Sequence, residues 1–289
     1  MLECPGLSGR FFPKADLPNM GICVSGIGGN KPFSVLMTDN VVDLQVQFNG
    51  QYFPRYYYEE IENAPLSLFD TAKGEYKRKD AITDFIFQRC RELYGPKTSR
   101  DDIFYYVYGL LHSEDYRNAF AADLKKMLPR IPLVDEVPTF RAISKAGREL
   151  AELHLNYETQ PEPENILVNG ENMIGNDYRV SKMVFGKKKD AETGKMVNDP
   201  SVIIYNHQIT IENIPSRAYD YIVNGKSAIK WVMEWYSISE DKKTGIVNDP
   251  NKWAEETNNE RYILTLLLSI INVSCKTVDI VSKLPKLTF

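Results

Sequence analysis

The sequence has few cysteines, and none of them has the spacing of a metal or redox site. The four cysteines are widely separated: Cys4, Cys23, Cys90 and Cys275. No Cys-x-x-Cys pair is present, which excludes zinc ribbons and thioredoxin-like motifs. The three histidines are equally scattered, with no cysteine or histidine at ligand spacing. We therefore expect no metal site and a reducing, cytoplasmic location.

Long apolar runs are also lacking. The longest, Tyr262–Val273, is shorter than the roughly 20 residues that span a membrane, and Thr265, Ser269 and Asn272 interrupt it. The N-terminus shows no basic stretch followed by an apolar one, the pattern of a signal peptide. The sequence therefore predicts a protein without a membrane segment.

An excess of positive charge is missing as well. The 35 lysines and arginines are outnumbered by 39 aspartates and glutamates, which gives a net charge of −4. Free-standing nucleic-acid-binding domains are usually basic. Any DNA site in this chain must therefore be a local basic patch, or depend on a neighbouring domain that also holds the DNA. The 289 residues are enough for one large domain or two lobes.

Complete catalytic motifs are absent. Asn224–Ser227 ends like a phosphate-binding loop, but Asp220 replaces the required glycine, so a helix start is the better interpretation. No Asn-Pro-Pro-Tyr or Asp-Pro-Pro-Tyr motif of amino-methyltransferases occurs. Asp70, Glu75 and Lys77 have the residue types of a magnesium-dependent nuclease, yet they lie in a polar loop. We predict no catalytic residue and no metal ligand.

The first half of the chain predicts a β-hairpin followed by helices. After an irregular, glycine- and proline-rich entry of 30 residues, Phe33–Gln47 and Gln51–Tyr58 flank Asn49-Gly50, a strong hairpin signal. Pro54 places the second strand at an edge or a bend. Apolar spacing and capping residues predict four helices, at Asp80–Tyr94, Asp101–Leu111, Ser113–Leu128 and Pro138–Leu155. Arg130, between prolines, is expected to hold orphan helix carbonyls.

The second half alternates strand and helix patterns. After the linker Thr159–Asn165 the predicted elements are a strand at Tyr178–Phe185, one or two strands within Val202–Ile211, and helices at Tyr219–Tyr236, Asn258–Asn272 and Lys276–Leu284. The predicted fold class is mixed α/β (α+β). A helical first lobe with an N-terminal β-hairpin covers residues 1–160, and a mixed strand and helix lobe covers residues 161–289.

Two polar loops of the second lobe carry side chains suited to DNA. Gly186–Pro200 and Asp241–Lys252 supply lysines for phosphates and asparagines for base edges. The candidate residues are Lys187, Lys188, Lys189, Lys195, Asn198, Lys242, Lys243, Asn248 and Asn251. The alternative is that both are ordinary solvated loops. Val-Asn-Asp-Pro occurs in each loop, which we interpret as shared turn chemistry because the flanking sequences differ.

Six segments, taken in order, resemble the C-terminal specificity region of Type ISP restriction–modification enzymes. They are Tyr52–Glu59 (YFPRYYYE), Asp101–Arg117 (DDIFYYVYGLLHSEDYR), Leu128–Pro132 (LPRIP), Ala146–Glu158 (AGRELAELHLNYE), Ile214–Trp231 (IPSRAYDYIVNGKSAIKW) and Thr244–Asn251 (TGIVNDPN). The resemblance runs from about Phe33 to Pro285, and the order of the segments makes it specific.

The resemblance implies a parent enzyme with a nuclease, an ATP-driven translocase, an adenine N6-methyltransferase and a terminal target-recognition domain. S-adenosylmethionine, ATP and Mg²⁺ would serve those other parts, and this chain would need no cofactor and catalyse nothing alone. Its expected partners are double-stranded DNA and the methyltransferase domain of the parent. Base-reading residues cannot be transferred, because they are expected to vary with the target.

Two other functions stay open at this point. The acidic net charge and the aromatic-rich Tyr52–Tyr58 favour a protein-docking module of the same enzyme, with little DNA contact. Asp70, Glu75 and Lys77 leave a cryptic metal-dependent nuclease as the third hypothesis. Sequence-specific recognition of duplex DNA is the reading that the resemblance and the two loops support together.

Overall fold

The computed structural model describes residues 8–28, 31–41, 50–61, 76–171 and 178–289. The chain forms two compact units. Unit 1 comprises Met1–Leu155 with Lys283–Phe289, and unit 2 comprises Asn156–Ser282. Helices and small antiparallel sheets occur in both, which confirms the predicted mixed α/β class.

The first sheet of unit 1 is built around a strand that sequence analysis missed. After a short helix α1 (Ser8–Phe11), strand β1 (Gly21–Val24) lies between β2 (Val35–Thr38) and β3 (Gln51–Pro54), antiparallel to both. All four residues of β1 are buried, so the predicted irregular entry is wrong here. The described part of the first strand of the predicted hairpin, Phe33–Gln47, contains β2, which pairs with β1 and not with β3. Asn49 and its turn lie outside the described residues.

Pro54 ends β3, as predicted, and the chain then enters a second sheet. Strand β4 (Tyr56–Glu60) pairs antiparallel with β5 (Tyr76–Asp80). The side chain of Asn19 fixes this corner, since its Nδ2 donates to the Tyr56 carbonyl at 2.8 Å and its Oδ1 accepts from the Tyr56 N–H at 3.1 Å. Asp70 and Glu75 of the nuclease hypothesis lie outside the described residues, and Lys77 is exposed on β5.

The helices of unit 1 follow the capping signals closely. They are α2 (Asp84–Tyr94), α3 (Arg100–His112), α4 (Glu114–Ala119) and α5 (Val137–Leu155). The capping box between Ser99 and Asp102 is confirmed, and Ser113 caps α4. Two bounds differ from the prediction. Asp80 belongs to β5, so α2 begins later, and α4 ends well before Leu128.

Two glycines allow α3 and α5 to pack closely. A Cβ on Gly147 would lie 1.9 Å from the Tyr105 carbonyl oxygen, and one on Gly109 would lie 2.3 Å from that of Ile143. No side chain fits at either position without moving a helix. Tyr94 of α2 completes this core by stacking on Phe140 of α5 with ring centroids 3.9 Å apart.

Tyrosine hydroxyls, not Arg130, hold the segment that leads to α5. Tyr106 donates to the Pro132 carbonyl at 2.7 Å, Tyr94 to that of Val134 at 2.7 Å, and Tyr116 to that of Arg130 at 2.9 Å. The Arg130 side chain is exposed and has no polar partner in the described part of the chain. Its predicted role in holding helix carbonyls is therefore wrong.

A buried histidine pair lies beside these helices. The Tyr108 hydroxyl is 2.6 Å from Nδ1 of His154, and Nδ1 of His112 is 2.9 Å from the Tyr108 carbonyl oxygen. Burial, helped by the charge of Arg117, lowers the pKa of His154 to about 3, and burial also lowers the pKa of His112. Both rings are therefore neutral in the folded protein at pH 7.

Unit 2 contains a four-stranded antiparallel sheet. Strands β6 (Leu167–Asn169), β7 (Val184–Lys189), β8 (Met196–Ile204) and β9 (Thr210–Glu212) are arranged in the order β6-β9-β8-β7. The apolar residues of this sheet, among them Ile203 and Ile211, share one core with the helices of the unit.

The rest of unit 2 differs from the predicted helix boundaries. Its elements are β10 (Ile222–Val223), β11 (Lys226–Ser227), α6 (Ala228–Trp235), β12 (Ser239–Glu240), β13 (Val247–Asn248), α7 (Asn251–Glu256) and α8 (Tyr262–Ser282). The first half of the predicted helix Tyr219–Tyr236 is instead a hairpin turning at Asn224-Gly225, where φ is 52° and 82°. Ser227 caps α6, so the helix-start interpretation of this segment is confirmed.

Helix α8 is a single element where two helices were predicted. It has 21 residues, and its most apolar 18-residue stretch has a mean hydropathy of 1.7, which by length and composition alone would suffice to cross a membrane. However, 61% of that stretch is buried inside the protein. Leu264, Leu267 and Ile271 are fully buried there, as expected for the central helix of a globular core.

We expect Gly147→Ala to destabilise unit 1 by about 1–3 kcal/mol, because the added methyl group must push α3 and α5 apart. Gly9→Ala is the matched control, since no atom of the described residues lies within 4 Å of a Cβ at that position. Urea denaturation of the two variants gives the comparison. Equal midpoints would show that the helices can separate without cost.

The histidine pair predicts a stability that falls in acid. The unfolded chain binds protons on these rings near pH 6.5, whereas the folded pKa of His154 is about 3. Stability is therefore lost as the pH falls below about 6.5, by up to about 1.4 kcal/mol per pH unit for each ring. In denaturation at pH 7 to 4.5, His154→Gln should show a shallower loss than wild type. Exposed His207→Gln should match wild type, and three parallel curves would refute the assignment.

Candidate nucleic-acid interface

A two-stranded ribbon projects from the four-stranded sheet of unit 2. Strand β9 pairs only with Ile203 and Ile204 of β8, whereas β7 and β8 continue together to the pair Lys189 and Met196. The register shifts between Phe185 and Gly186, where the ribbon leaves the sheet. Residues 187–189 and 191–198 are all exposed. We call Gly186–Asp199 ribbon A.

Ribbon A corrects the sequence interpretation of this region. The sequence predicts a polar loop for Lys187, Lys188 and Lys189, but these residues form the end of β7, and Asn198 lies opposite Lys187 in β8. Only residues 190–195 form the turn. The pattern was missed because a ribbon exposed on both faces has no alternation of apolar and polar residues.

An aspartate and a glycine shape the turn of ribbon A. Oδ1 of Asp190 accepts from the backbone N–H and the hydroxyl of Thr193, both at 2.7 Å. These hydrogen bonds lower the pKa of Asp190. Gly194 has φ of 67°, a conformation that favours glycine, and its N–H donates to the Asp190 carbonyl at 2.9 Å. The tip is therefore ordered without burying any apolar group.

The four lysines of ribbon A fall into two pairs. Lys187 donates to Oδ1 of Asn198 at 2.6 Å, and Lys188 lies 3.3 Å from Asp199, so both hold the two strands together. Lys189 and Lys195 are exposed beside the turn and have no ion-pair partner among the residues described. The free positive charge of the ribbon is thus concentrated at its tip.

A second, shorter ribbon repeats the same turn. Strands β12 and β13 form ribbon B, Ser239–Asn248, whose turn carries Lys242 and Lys243. Oδ1 of Asp241 accepts from the N–H of Thr244 at 2.8 Å and from its hydroxyl at 3.0 Å. Gly245 has φ of 68° and donates to the Asp241 carbonyl at 2.8 Å. The predicted loop Asp241–Lys252 is therefore a hairpin followed by the start of α7.

The shared Val-Asn-Asp-Pro sequence produces the same exit from both ribbons. Asp199 accepts from the N–H and hydroxyl of Ser201 at 3.0 and 2.7 Å. Asp249 accepts from the N–H and side-chain amide of Asn251 at 3.0 and 2.7 Å. Shared turn chemistry was the expected explanation of this recurrence. The Asp-x-x-Thr-Gly turn before each exit was the signal that would have revealed two ribbons.

The two asparagines of ribbon B and its exit have different environments. Asn248 is exposed, whereas Asn251 is 3% exposed. The Asn251 side chain accepts from the Val180 N–H at 2.8 Å and donates to the Val180 carbonyl at 2.9 Å. This placement gives Asn251 a structural role and removes it from the groups that can reach a ligand in solvent.

The arrangement of ribbon A suits the major groove of DNA. That groove is about 12 Å wide and admits a two-stranded β-ribbon. Lysines at the tip can meet phosphates, and Asn198 and the 63% exposed Met196 offer polar and apolar contacts along the strand. Ribbon B offers the same combination, with two lysines and the 67% exposed Ile246.

The family comparison agrees with the resemblance in the sequence. The family model of the Type ISP C-terminal specificity domain matches residues 1–266, and the chain belongs to this family. No curated protein sequence matches the chain. The predicted family membership is thus confirmed.

Solved structures of three enzymes resemble nearly the whole chain. A nuclease-deletion mutant of the Type ISP enzyme LlaGI, in complex with a DNA substrate mimic, is 38% identical over 96% of this chain, with a TM-score of 0.72. The ATP-dependent Type ISP enzyme LlaBIII, bound to DNA, is 36% identical over 97%, with a TM-score of 0.78. A DrdV–DNA complex is 30% identical over 98%, with a TM-score of 0.76.

This chain is much shorter than those enzymes. It covers 22% of the LlaGI chain, 17% of the LlaBIII chain and 26% of the DrdV chain. It therefore corresponds to one part of each.

We expect Asn251→Ala to destabilise unit 2 by about 1–3 kcal/mol, because the buried N–H and carbonyl of Val180 lose their partner. Asn248→Ala should change stability by no more than about 0.5 kcal/mol, as is usual for exposed positions. Thermal unfolding of both variants compares them directly. An Asn251→Ala protein as stable as wild type would show that water replaces the amide there.

Proposed function

We propose that this chain recognises the DNA target sequence for a larger restriction–modification enzyme. Membership of the specificity-domain family supports this role, and the related enzymes LlaGI, LlaBIII and DrdV are each described with DNA or a DNA mimic. The observation that carries the proposal in this chain is ribbon A, whose polar strands project into solvent with two lysines at the tip that have no ion-pair partner in the described ranges.

In this proposal the lysines of the two ribbons position the DNA, and the asparagines read its base sequence. Lysine is a flexible point charge, so Lys189, Lys195, Lys242 and Lys243 suit contacts with phosphates. Asn198 and Asn248 stand on the strands, where an amide can pair with a base edge. In Asn198 the Nδ2 group would make this contact, because Oδ1 accepts from Lys187. Lys187 and Lys188 act indirectly, by holding ribbon A in a fixed shape. Asn251 supports the exit of ribbon B and does not touch DNA.

We further propose that the chain catalyses nothing by itself and needs no cofactor. The sequence lacks a phosphate-binding loop and the methyltransferase motif. S-adenosylmethionine, ATP and Mg²⁺ would act in the remainder of a parent enzyme, and the methyltransferase domain would be the protein partner. A role in recognising DNA also implies that the protein works inside the cell.

The acidic net charge of −4 fits a domain that shares its DNA with neighbours. Repulsion by the whole chain weakens association, so the local charge at the ribbon tips must be favourable enough to hold the duplex. Contacts of the parent enzyme would supply further affinity. The isolated chain should consequently bind DNA best at low salt.

The double variant Lys189→Ala/Lys195→Ala should weaken binding to duplexes of any sequence. Each phosphate contact that is lost reduces the slope of log K against log salt by about 0.9. Salt titrations by fluorescence anisotropy, with a duplex of mixed sequence, give the slopes. Lys252→Ala/Lys276→Ala is the matched control, because it removes the same charge from exposed positions of unit 2 outside the ribbons.

Equal slopes for the two double variants would remove the tip of ribbon A from the interface. The docking hypothesis, in which the chain binds the methyltransferase and contacts DNA little, would then be the better account. A normal slope combined with a loss on one duplex sequence would instead assign base reading to these lysines.

A further inference from the structure

A second candidate site lies in unit 1, apart from both ribbons. Where β4 and β5 meet the starts of α2 and α3, the structure has a cleft of about 390 Å³. Four cationic side chains and only two carboxylates line it, together with two aromatic rings and a serine. They are Arg55, Arg78, Lys79, Arg100, Asp80, Asp101, Tyr56, Phe87 and Ser99.

Arg55 forms a fixed wall of the cleft. It is 5% exposed and hydrogen-bonds Asp101 at 2.7 Å through Nε and Asp80 through Nη1. Burial alone would lower the pKa of Arg55, but the two aspartates outweigh it and raise the pKa. Its guanidinium lies 4.3 Å from the centre of the Tyr56 ring. The side chain is therefore charged and held in one orientation.

Arg100 forms a second fixed wall. It donates to the Ile82 carbonyl and to Asp84, and its guanidinium lies 4.3 Å from the centre of the Phe87 ring. Arginines that are already oriented lose little conformational freedom when they bind an anion.

Arg78 is the cation that these contacts leave available. Lys79 lies 3.3 Å from Glu59, and Arg55 and Arg100 have their aspartates. Arg78 is exposed, lies 4.3 Å from the centre of the Tyr56 ring, and has no carboxylate partner within the described ranges. The four cations thus face four carboxylates in all, since Asp84 and Glu59 join Asp80 and Asp101. What distinguishes the cleft is one guanidinium, that of Arg78, which has no direct carboxylate partner in this part of the structure and lies on an aromatic ring.

We propose that this cleft binds a nucleoside phosphate, either within a nucleic-acid strand or as a free nucleotide. A guanidinium presents a planar fork of N–H groups that matches phosphate oxygens, which assigns the phosphate to Arg78. Because the Tyr56 and Phe87 rings already carry guanidiniums, the flat surface offered to a base is the exposed plane of Arg78, which the Tyr56 ring supports from below. An acidic peptide would use the charge but not this surface. The site does not depend on ribbon A or ribbon B.

The test measures binding by the full chain to a single-stranded oligonucleotide, to adenosine monophosphate and to inorganic phosphate. Arg78→Gln should weaken binding of the first two about tenfold, the effect of losing one charge-assisted hydrogen bond. Arg130→Gln is the matched control, since it removes an exposed arginine of unit 1 outside the cleft. Tyr56→Leu should weaken the oligonucleotide and the nucleotide more than inorganic phosphate.

The ligands distinguish the source of the phosphate. Tighter binding of the oligonucleotide than of adenosine monophosphate would assign the cleft to a strand, and equal binding would assign it to free nucleotides. Equal binding of all three ligands, or equal effects of Arg78→Gln and Arg130→Gln, would overturn the proposal. Adenosine monophosphate binding should persist in Lys189→Ala/Lys195→Ala, so failure of the ribbons and failure of the cleft are distinguishable.

Discussion

An exposed β-ribbon has to be held in shape without a hydrophobic core, and the two ribbons of unit 2 solve this with aspartate side chains. Asp190 and Asp241 accept from the backbone of their turns, while Asp199 and Asp249 accept from the residues after the ribbons. Each carboxylate satisfies backbone N–H groups that no strand or helix partner would otherwise reach. The positions of the lysines follow from this framework.

The same framework distinguishes the lysines that hold ribbon A together from those that can bind a ligand. Lys188 neutralises Asp199, which is part of the exit, and Lys187 bridges to the opposite strand. Lys189 and Lys195, beside the turn, have no ion-pair partner in the part of the chain that the structure describes. A rigid polar ribbon with exposed cations at its end can approach a phosphate backbone and still keep its strand residues in register with base edges.

Local signals made the helices of unit 1 predictable. Ser99 and Asp102 form a capping box, Ser113 caps α4, and Gly95 ends α2, each through interactions within a few residues. The cap at Thr83 was missed, so the predicted start of α2 at Asp80 is too early. The mixed α/β class and the family followed from such segments. Strand β1 was not predictable in this way, because its partners β2 and β3 come later in the chain.

The site was harder to predict than the fold, for a physical reason. Ribbon A is exposed on both faces, so burial leaves no periodic pattern in Lys187–Lys189 or in Met196–Asn198. The lysine-rich composition of Gly186–Pro200 predicted a basic region, but also a loop where the structure has two strands. Burial of Asn251 could not be inferred either, because its partner Val180 is distant in sequence. Turns could be predicted from the sequence because their hydrogen bonds are local, whereas contacts between residues far apart in the sequence could not.

The cleft of unit 1 shows the same limit. Arg55 lies in the bend between β3 and β4, Arg78 on β5 and Arg100 at the start of α3, and only the fold gathers them around Tyr56 and Phe87. The segment Tyr52–Tyr58 is visible in the sequence as a possible docking surface, but the proximity of Arg78 and Arg100 to it is not. Folding thus decides which cation of a net acidic chain is left without a direct carboxylate partner among the residues described, as Arg78 is.

Recognition of a specific DNA sequence is the central claim, and selection from a randomised pool of duplexes tests it most directly. The purified chain is incubated with the pool at low salt, and bound duplexes are recovered and sequenced over successive rounds. The account predicts enrichment of one short motif, and a change in that motif when Asn198 is replaced. Retention of duplexes without any enriched sequence would contradict it, because the chain would then bind DNA without reading it.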